Sequence, residues 1–169
     1  MPVRPIVAYG DPILRRPTLP VTEITAEIQQ LIDDMVATMY RAPGIGLAAN
    51  QVGSSHRLFV ANPAEDHDPA RLLVVLNPRL LRPQGGALAA EEGCLSIPRL
   101  REEVERPRQV FLRGLDRDGR PLELEAEGLL ARIFQHEVDH LNGLVFVDRL
   151  SPAKRDILLR KLRKALARP

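Results

Sequence analysis

The chain has 169 residues, 44% apolar and 27% charged, with 24 basic and 22 acidic side chains, which is the length of one domain able to bury its own core. The formal charge of +2 argues against a polybasic nucleic-acid binder and against a highly charged disordered chain. The lone Cys94 excludes an internal disulfide, and no apolar run approaches the ~18 residues of a membrane span.

Residues 1–22 are proline-rich and without sustained period, which predicts an extended arm. Ile24, Ile28, Leu31, Ile32, Met35, Val36, Met39 and Tyr40 then recur at steps of three and four, one stripe of a helix. Thr22 or Thr25 can cap its start, and Pro43-Gly44 end it. A small, apolar, glycine-rich connection follows from Gly44 to Gly53. Residues 57–61 and 72–76 read as buried strands, with short candidates at 80–81 and 87–91 and a further run over 110–115. Asp118-Gly119 predicts a tight hairpin with both residues at positive φ. Leu122, Leu124 and Ala126 alternate with glutamates, a half-exposed strand. A second helix runs from about Gly128 to Leu141 and stops at Asn142-Gly143. Ser151 caps a third, with Pro152 in its first position. The order predicts an α+β fold: mixed or antiparallel β-sheet around a central helix, with an amphipathic helix at the N-terminal end and another at the C-terminal end. No linker interrupts it, so residues 1–169 form one domain.

Charge is distributed unevenly. All three lysines follow Leu150, and residues 151–169 carry seven basic groups and one acid, a net of +6 against −4 for the preceding 150 residues. A local basic contact surface on the last helix explains this better than bulk charge does.

His136-Glu137-Val138-Asp139-His140 is the main chemical signal. Two histidines four apart leave one helix face and can reach one divalent metal, while the adjacent glutamate can take a proton from activated water. Two histidines leave a catalytic site short of its usual three protein ligands. Cys94, in Glu91-Glu92-Gly93-Cys94-Leu95-Ser96, is the soft candidate for the third, although a lone cysteine is often an inert buried residue. His56, His67 and Asp139 are the alternatives; the first two read as turn or loop residues, and Asp139 points off the His136/His140 face. Gln51 is an amide among small apolar residues and must find partners; one use is to donate to a developing oxyanion.

Three stretches in this order, Gly44 to Gln51 (G-x-G-x-A-A-x-Q), Glu92 to Ser96 (E-G-C-L-S) and His136 to His140 (H-E-x-D-H), resemble the peptide deformylase family, and the resemblance extends over the whole chain. It implies hydrolytic removal of the formyl group from the N-terminal formyl-methionine of new peptides. Cys94, His136 and His140 then hold one divalent metal, natively ferrous iron, with zinc, nickel or cobalt able to substitute. Glu137 is the implied base, and the Gln51 side chain and Leu95 N–H the implied oxyanion donors. The peptide is implied to add as a strand at Ile45–Gly46 and near Gly93. Its methionine side chain enters a pocket near Ile45, Leu129 and Ile133, and Arg101 touches the peptide. Arg132 is expected to send its head to solvent, and Asn50 to stand away from the chemistry. A ribosome contact through the basic helix is a further implied partner; no membrane or DNA partner is expected. The simplest setting is a bacterial-type cytoplasm, although an imported, processed chain would look the same. Another H-E-x-x-H metallohydrolase such as a peptidase, or a non-catalytic metal module, is the competing reading; Cys94 and Gln51 speak against the first, Glu137 and Gln51 against the second.

Overall fold

A computed structural model of the protein describes residues 2–167. Helix α1 (Ala26–Arg41) starts where Thr25 Oγ1 accepts a hydrogen bond from the Ile28 N–H at 3.2 Å. Its stripe is buried as its period demands: Ile28, Leu31, Ile32, Met35 and Met39 pack on Leu47, Leu58, Val60 and Leu76. The glycine-rich connection is more ordered than expected. It holds a three-residue strand, β1 (Gly46–Ala48), and a 3-10 turn over Ala49–Val52 that ends at Gly53 with φ +83°.

Strands β1, β2 (Leu58–Ala61), β3 (Leu73–Cys94), β4 (Ile97–Leu115) and β5 (Pro121–Glu127) form one five-stranded sheet in sequential order, antiparallel throughout. Among the described residues, parallel pairing is confined to a single bridge, Leu19 with His56. The short strand candidates at 80–81 and 87–91 are parts of one 22-residue strand. Pro78, Pro83 and Gly85-Gly86 do not end it. The register shifts at Leu76/Arg79, Leu81/Gln84 and Gln84/Ala87 absorb them, with Asn77, Arg82, Gly85 and Gly86 at positive φ. The Asp118-Gly119 turn also differs from expectation. Only Gly119 (φ +83°) takes positive φ, because the loop spans Asp116 to Arg120 and Asp116 Oδ1 accepts from the N–H groups of Asp118 and Arg120.

Strand β5 runs directly into helix α2 (Gly128–Leu141) through Gly128 at φ +62°. Helix α2 is buried against the sheet: Ala131, Ile133, Phe134, Val138 and Leu141 pack on Phe59, Val75, Val110 and Leu112, and the Phe59 and Phe134 rings lie 6.0 Å apart. At its end Gly143 (φ +83°) stands where a Cβ would fall 2.6 Å from the Arg15 carbonyl oxygen. Helix α3 (Pro152–Ala167) begins at Ser151, whose Oγ accepts from the Lys154 N–H, and packs Leu158 and Leu162 on Ile97, Val104 and Phe146. The N-terminal arm is extended apart from a 3-10 turn at Pro12–Arg15. Its N–H groups bond Gln51 O (from Val7, 2.7 Å), Ser96 O (from Tyr9, 2.9 Å) and Leu141 O (from Thr18, 2.8 Å). The arm thereby ties together the segments that carry the three motifs.

Phe134→Ala removes a fully buried ring from the interface that holds α2 on the sheet. It should lower unfolding free energy by about 3–5 kcal/mol in a denaturant titration, with the fold retained at low denaturant.

Candidate metal centre and cleft

Because α2 is buried on nearly all sides, its polar residues meet protein rather than water. His136 and His140 stand one turn apart and converge, Nε2 to Nε2 at 3.2 Å. The turn between β3 and β4 brings Cys94 Sγ to 3.3 Å from His140 Nε2. The ligand atoms of Cys94, His136 and His140 all lie within 4.8 Å of one another. A thiolate and two imidazole nitrogens so gathered suit a first-row transition metal or zinc, and three ligands leave one position for water.

The surroundings fix this set. His136 Nδ1 lies 2.9 Å from Glu92 Oε1, which turns Nε2 inward. Burial, then the charges of His136 and Arg106, hold His140 well below its usual range, in the neutral form a ligand needs. Burial also opposes protonation of His136. Hydrogen bonds to Cys94 and Glu92 and the charge of Glu137 outweigh it and raise His136 well above its usual range. Cation binding at this cage therefore displaces a proton. Glu137 is buried, its Oε1 has no hydrogen-bond partner among the described residues, and burial pushes its carboxyl up to about 7. That suits a group exchanging protons near neutral pH.

Gln51 Oε1 accepts from the Ala48 N–H at 3.0 Å, and its Nε2 donates to Ser96 Oγ (3.1 Å) and Cys94 Sγ (3.4 Å). The amide is thus held against the ligand sulfur. Cys94, His136, Glu137 and Gln51 border a cleft of about 780 Å³ whose walls also include Ile45, Gly46, Gly93, Leu95, Arg101, Leu129 and Ile133, while His140 is fully buried outside that lining.

Residues 3–156 match the polypeptide deformylase family. The chain belongs to this family. It is 48% identical to the peptide deformylase of Mesorhizobium japonicum over 164 residues, covering 97% of this chain and 93% of that one. With the Syntrophobacter fumaroxidans peptide deformylase it shares 48% over 166 residues, covering 98% and 97%. Among solved structures, the Thermus thermophilus peptide deformylase superposes with a TM-score of 0.90 at 45% identity, covering 98% of this chain and 96% of that chain. The Synechococcus elongatus enzyme in complex with actinonin gives 0.90 at 44%, covering 98% and 89%.

Within this deformylase architecture each residue singled out from the sequence can be placed. Cys94, His136 and His140 are together, with Glu137 and Gln51 beside them. Leu95 is half-buried on the cleft wall, its Cδ1 2.8 Å from where a Cβ on Gly44 would stand. Ile45 and Leu129 are exposed at the cleft, while Ile133 is buried behind them. The Ile45 carbonyl accepts from the Asn62 N–H at 2.9 Å. Antiparallel alternation then turns the backbone groups of Gly46 to the free edge of β1. A Cβ on Gly46 would land on the Glu137 carboxylate, and one on Gly93 would meet Arg101 Nη1 at 2.8 Å. Arg101 itself is exposed and pairs with Glu91 at 3.1 Å. His56 is exposed and His67 stacks on Tyr40 with centroids 4.5 Å apart; neither joins the ligand cluster.

One expectation is corrected. Arg132 does not reach solvent. It is buried, pairs with Glu92, and donates to Val104 O (2.9 Å) and Leu88 O (2.6 Å), because the carboxylate and two strand carbonyls there need a donor. Asn50 does not line the cleft; it is fully buried and its Nδ2 donates to His140 O at 2.6 Å, bracing the helix turn that carries His140.

Sequence reasoning missed the network behind the ligands. Arg106 grips Glu92 with two bonds (2.6 and 2.9 Å) and reaches Asp139 at 2.9 Å; Arg149 adds two more to Asp139. Burial works against the Glu92 charge. Hydrogen bonds from His136 and Arg106 more than offset it and hold its pKa at about 2. The one available signal was the presence of acids, Glu92 and Asp139, within the two motifs that carry the cysteine and the histidines.

Glu92→Gln keeps the shape but leaves the Arg106 and Arg132 charges short of a buried counter-ion. It should cost about 3–5 kcal/mol of stability. Loosening His136 should weaken metal affinity about 10–100-fold, read by chelator competition at a temperature where the variant is folded.

Proposed function

We propose that this chain removes the formyl group from the N-terminal formyl-methionine of newly made peptides, using all of residues 1–169 as one catalytic domain. The observation that carries this reading is the Cys94–His136–His140 cluster with the unpartnered Glu137 oxygen beside it, at the head of a cleft bounded by a free strand edge. The family is metal-dependent, and ferrous iron is the ion proposed here, with zinc, nickel or cobalt as substitutes. Held by Cys94, His136 and His140, the metal supplies Lewis-acid activation of water and of the formyl carbonyl.

The protein's own groups do the rest. The substrate backbone adds to the Gly46 edge of β1 and passes Gly93, with the methionine side chain among Ile45, Leu129 and Ile133 and Arg101 at the exit. Glu137 accepts a proton from the attacking water and delivers it to the departing amine as the formyl C–N bond breaks. The Leu95 N–H and a Gln51 Nε2–H stabilise the oxyanion; the long contact to sulfur is the Gln51 bond most readily exchanged. Formate and a free methionyl amine leave. A peptidase of the H-E-x-x-H type is disfavoured by the thiolate in the ligand set.

Formate release from formyl-Met-Ala-Ser tests this on metal-loaded protein prepared without oxygen. Glu137→Ala should retain its metal and lose about 10²–10⁴-fold in turnover, and Cys94→Ala should lose both metal and turnover. Near-full activity of Glu137→Ala would remove the base assignment. Cleavage of internal peptide bonds with no formate would favour the peptidase.

The last helix carries a second, finer proposal. Leu158 and Leu162 pack α3 on the body, while Lys154, Arg160, Lys161, Arg163 and Lys164 stay exposed; Arg168 lies outside the described residues. That basic face suits RNA phosphates on the ribosome of a bacterial-type cytoplasm. No helix among the described residues is long and apolar enough to cross a membrane. Reversing two or more of these exposed charges should abolish low-salt co-sedimentation with ribosomes and leave formate release intact; undiminished co-sedimentation would exclude this contact.

A further inference from the structure

We propose that this cleft selects, through Arg99, peptides that carry a carboxylate immediately downstream of the formyl-methionine. The proposal rests on the deformylase reading of the same cleft and adds a preference within its substrates.

The charges lining the cleft can be taken in turn. Arg101 is matched by Glu91 at 3.1 Å, both exposed. Arg132 is buried against Glu92. His136 and Glu137 belong to the reacting centre. Arg99 is the remainder: it lines the cleft, is exposed, and has no hydrogen-bond or ion-pair partner among the described residues. Ile6, Ala42 and Pro43, which line the same cleft, bring no countercharge. The accessible part of the cleft therefore carries one uncompensated cation.

Its backbone singles it out as well. Arg99 stands just past the Cys94–Ile97 turn with φ +67°, a conformation rare outside glycine. Arg99 lines the same cleft as the Gly46 edge and the apolar residues Ile45, Leu129 and Ile133; in this proposal the methionine occupies the apolar part and the residues after it run along the wall where Arg99 stands. A carboxylate there finds a cation with no competing partner, whereas a lysine or arginine meets repulsion. The chemistry is shared by an acidic side chain at either of the first two positions after methionine and by the terminal carboxylate of a short peptide.

Formate-release kcat/KM separates these sources. The substrates are formyl-Met-Asp-Ala and formyl-Met-Ala-Asp, their lysine counterparts, and formyl-Met-Ala-Ala as free acid, each of the five also prepared as the C-terminal amide. At low salt, the parent should favour carboxylate-bearing over lysine-bearing amides by about two- to fivefold, the range of exposed ion pairs. The ratio should shrink toward one at high salt. Arg99→Gly, which suits the positive φ and so keeps the fold, should bring the low-salt ratio to one, and Arg99→Glu should invert it. Ratios within one protein are independent of its total activity. A parent ratio of one at low salt, or an unchanged ratio in both variants, would overturn the proposal while leaving deformylation intact. Absence of formate from every peptide would overturn the deformylase reading and this preference with it.

Discussion

The buried carboxylate of Glu92 joins the parts of the site that must not move. It lies on β3 and takes bonds from Arg106 on β4, from Arg132 on α2, and from His136 one helical turn further on. Isolated, such a charge would be costly so far from water. Here two guanidinium groups and an imidazole compensate it, and Asp139 shares Arg106 and is itself held by Arg149. The gain is geometric: the strand that ends in Cys94 and the helix that carries His136 and His140 are locked through one anion two residues from the thiol. Displacing either element would leave charges buried without partners.

Glycine makes the close approaches around this lock possible. Gly46 lets β1 pass against the Glu137 carboxylate, Gly93 lets Arg101 lie over β3, and Gly143 brings the end of α2 onto the backbone of the N-terminal arm. That arm, by bonding the carbonyls of Gln51, Ser96 and Leu141, braces from outside the segments that Glu92 joins from within. Residues far apart in sequence thus meet around the ligand set with backbone and buried charge doing the positioning.

Legibility followed the range of the interactions. Helix α2 could be read with its ends, because an apolar period, a ligand spacing and a glycine stop coincide within a few turns. Strand β5 showed its alternation plainly. Strand β3 read as fragments, since prolines and paired glycines look like breaks until a partner strand accommodates them as bulges. Cys94 could be proposed as a ligand only because two histidines left a site incomplete, and its company with Gln51 rested on family resemblance. Arg132 was misread, and the bonds of Asn50, Arg106 and Asp139 were missed, because each is defined by a partner tens of residues away. Nothing local distinguishes an arginine that will be buried beside a glutamate from one that will point to water.

The same long-range logic accounts for where the structure leaves polar atoms unmatched. Three buried side-chain atoms lack a hydrogen-bond partner among the described residues: Asn50 Oδ1, Glu137 Oε1 and His140 Nδ1. All three belong to the ligand-bearing helix or to the residue that braces it. Among the described residues the other buried side-chain nitrogen and oxygen atoms have partners, as stability requires. Here, filling Glu137 Oε1 with a protein donor would remove the acceptor that a water molecule needs, whereas His140 Nδ1 lies on the other side of its ring from the Nε2 that meets Cys94 and His136. Of the three residues, Glu137 is the one that lines the cleft. The framework of the site is thus fixed through Glu92, while Glu137 keeps an acceptor oxygen clear of protein donors beside the Cys94–His136–His140 cluster.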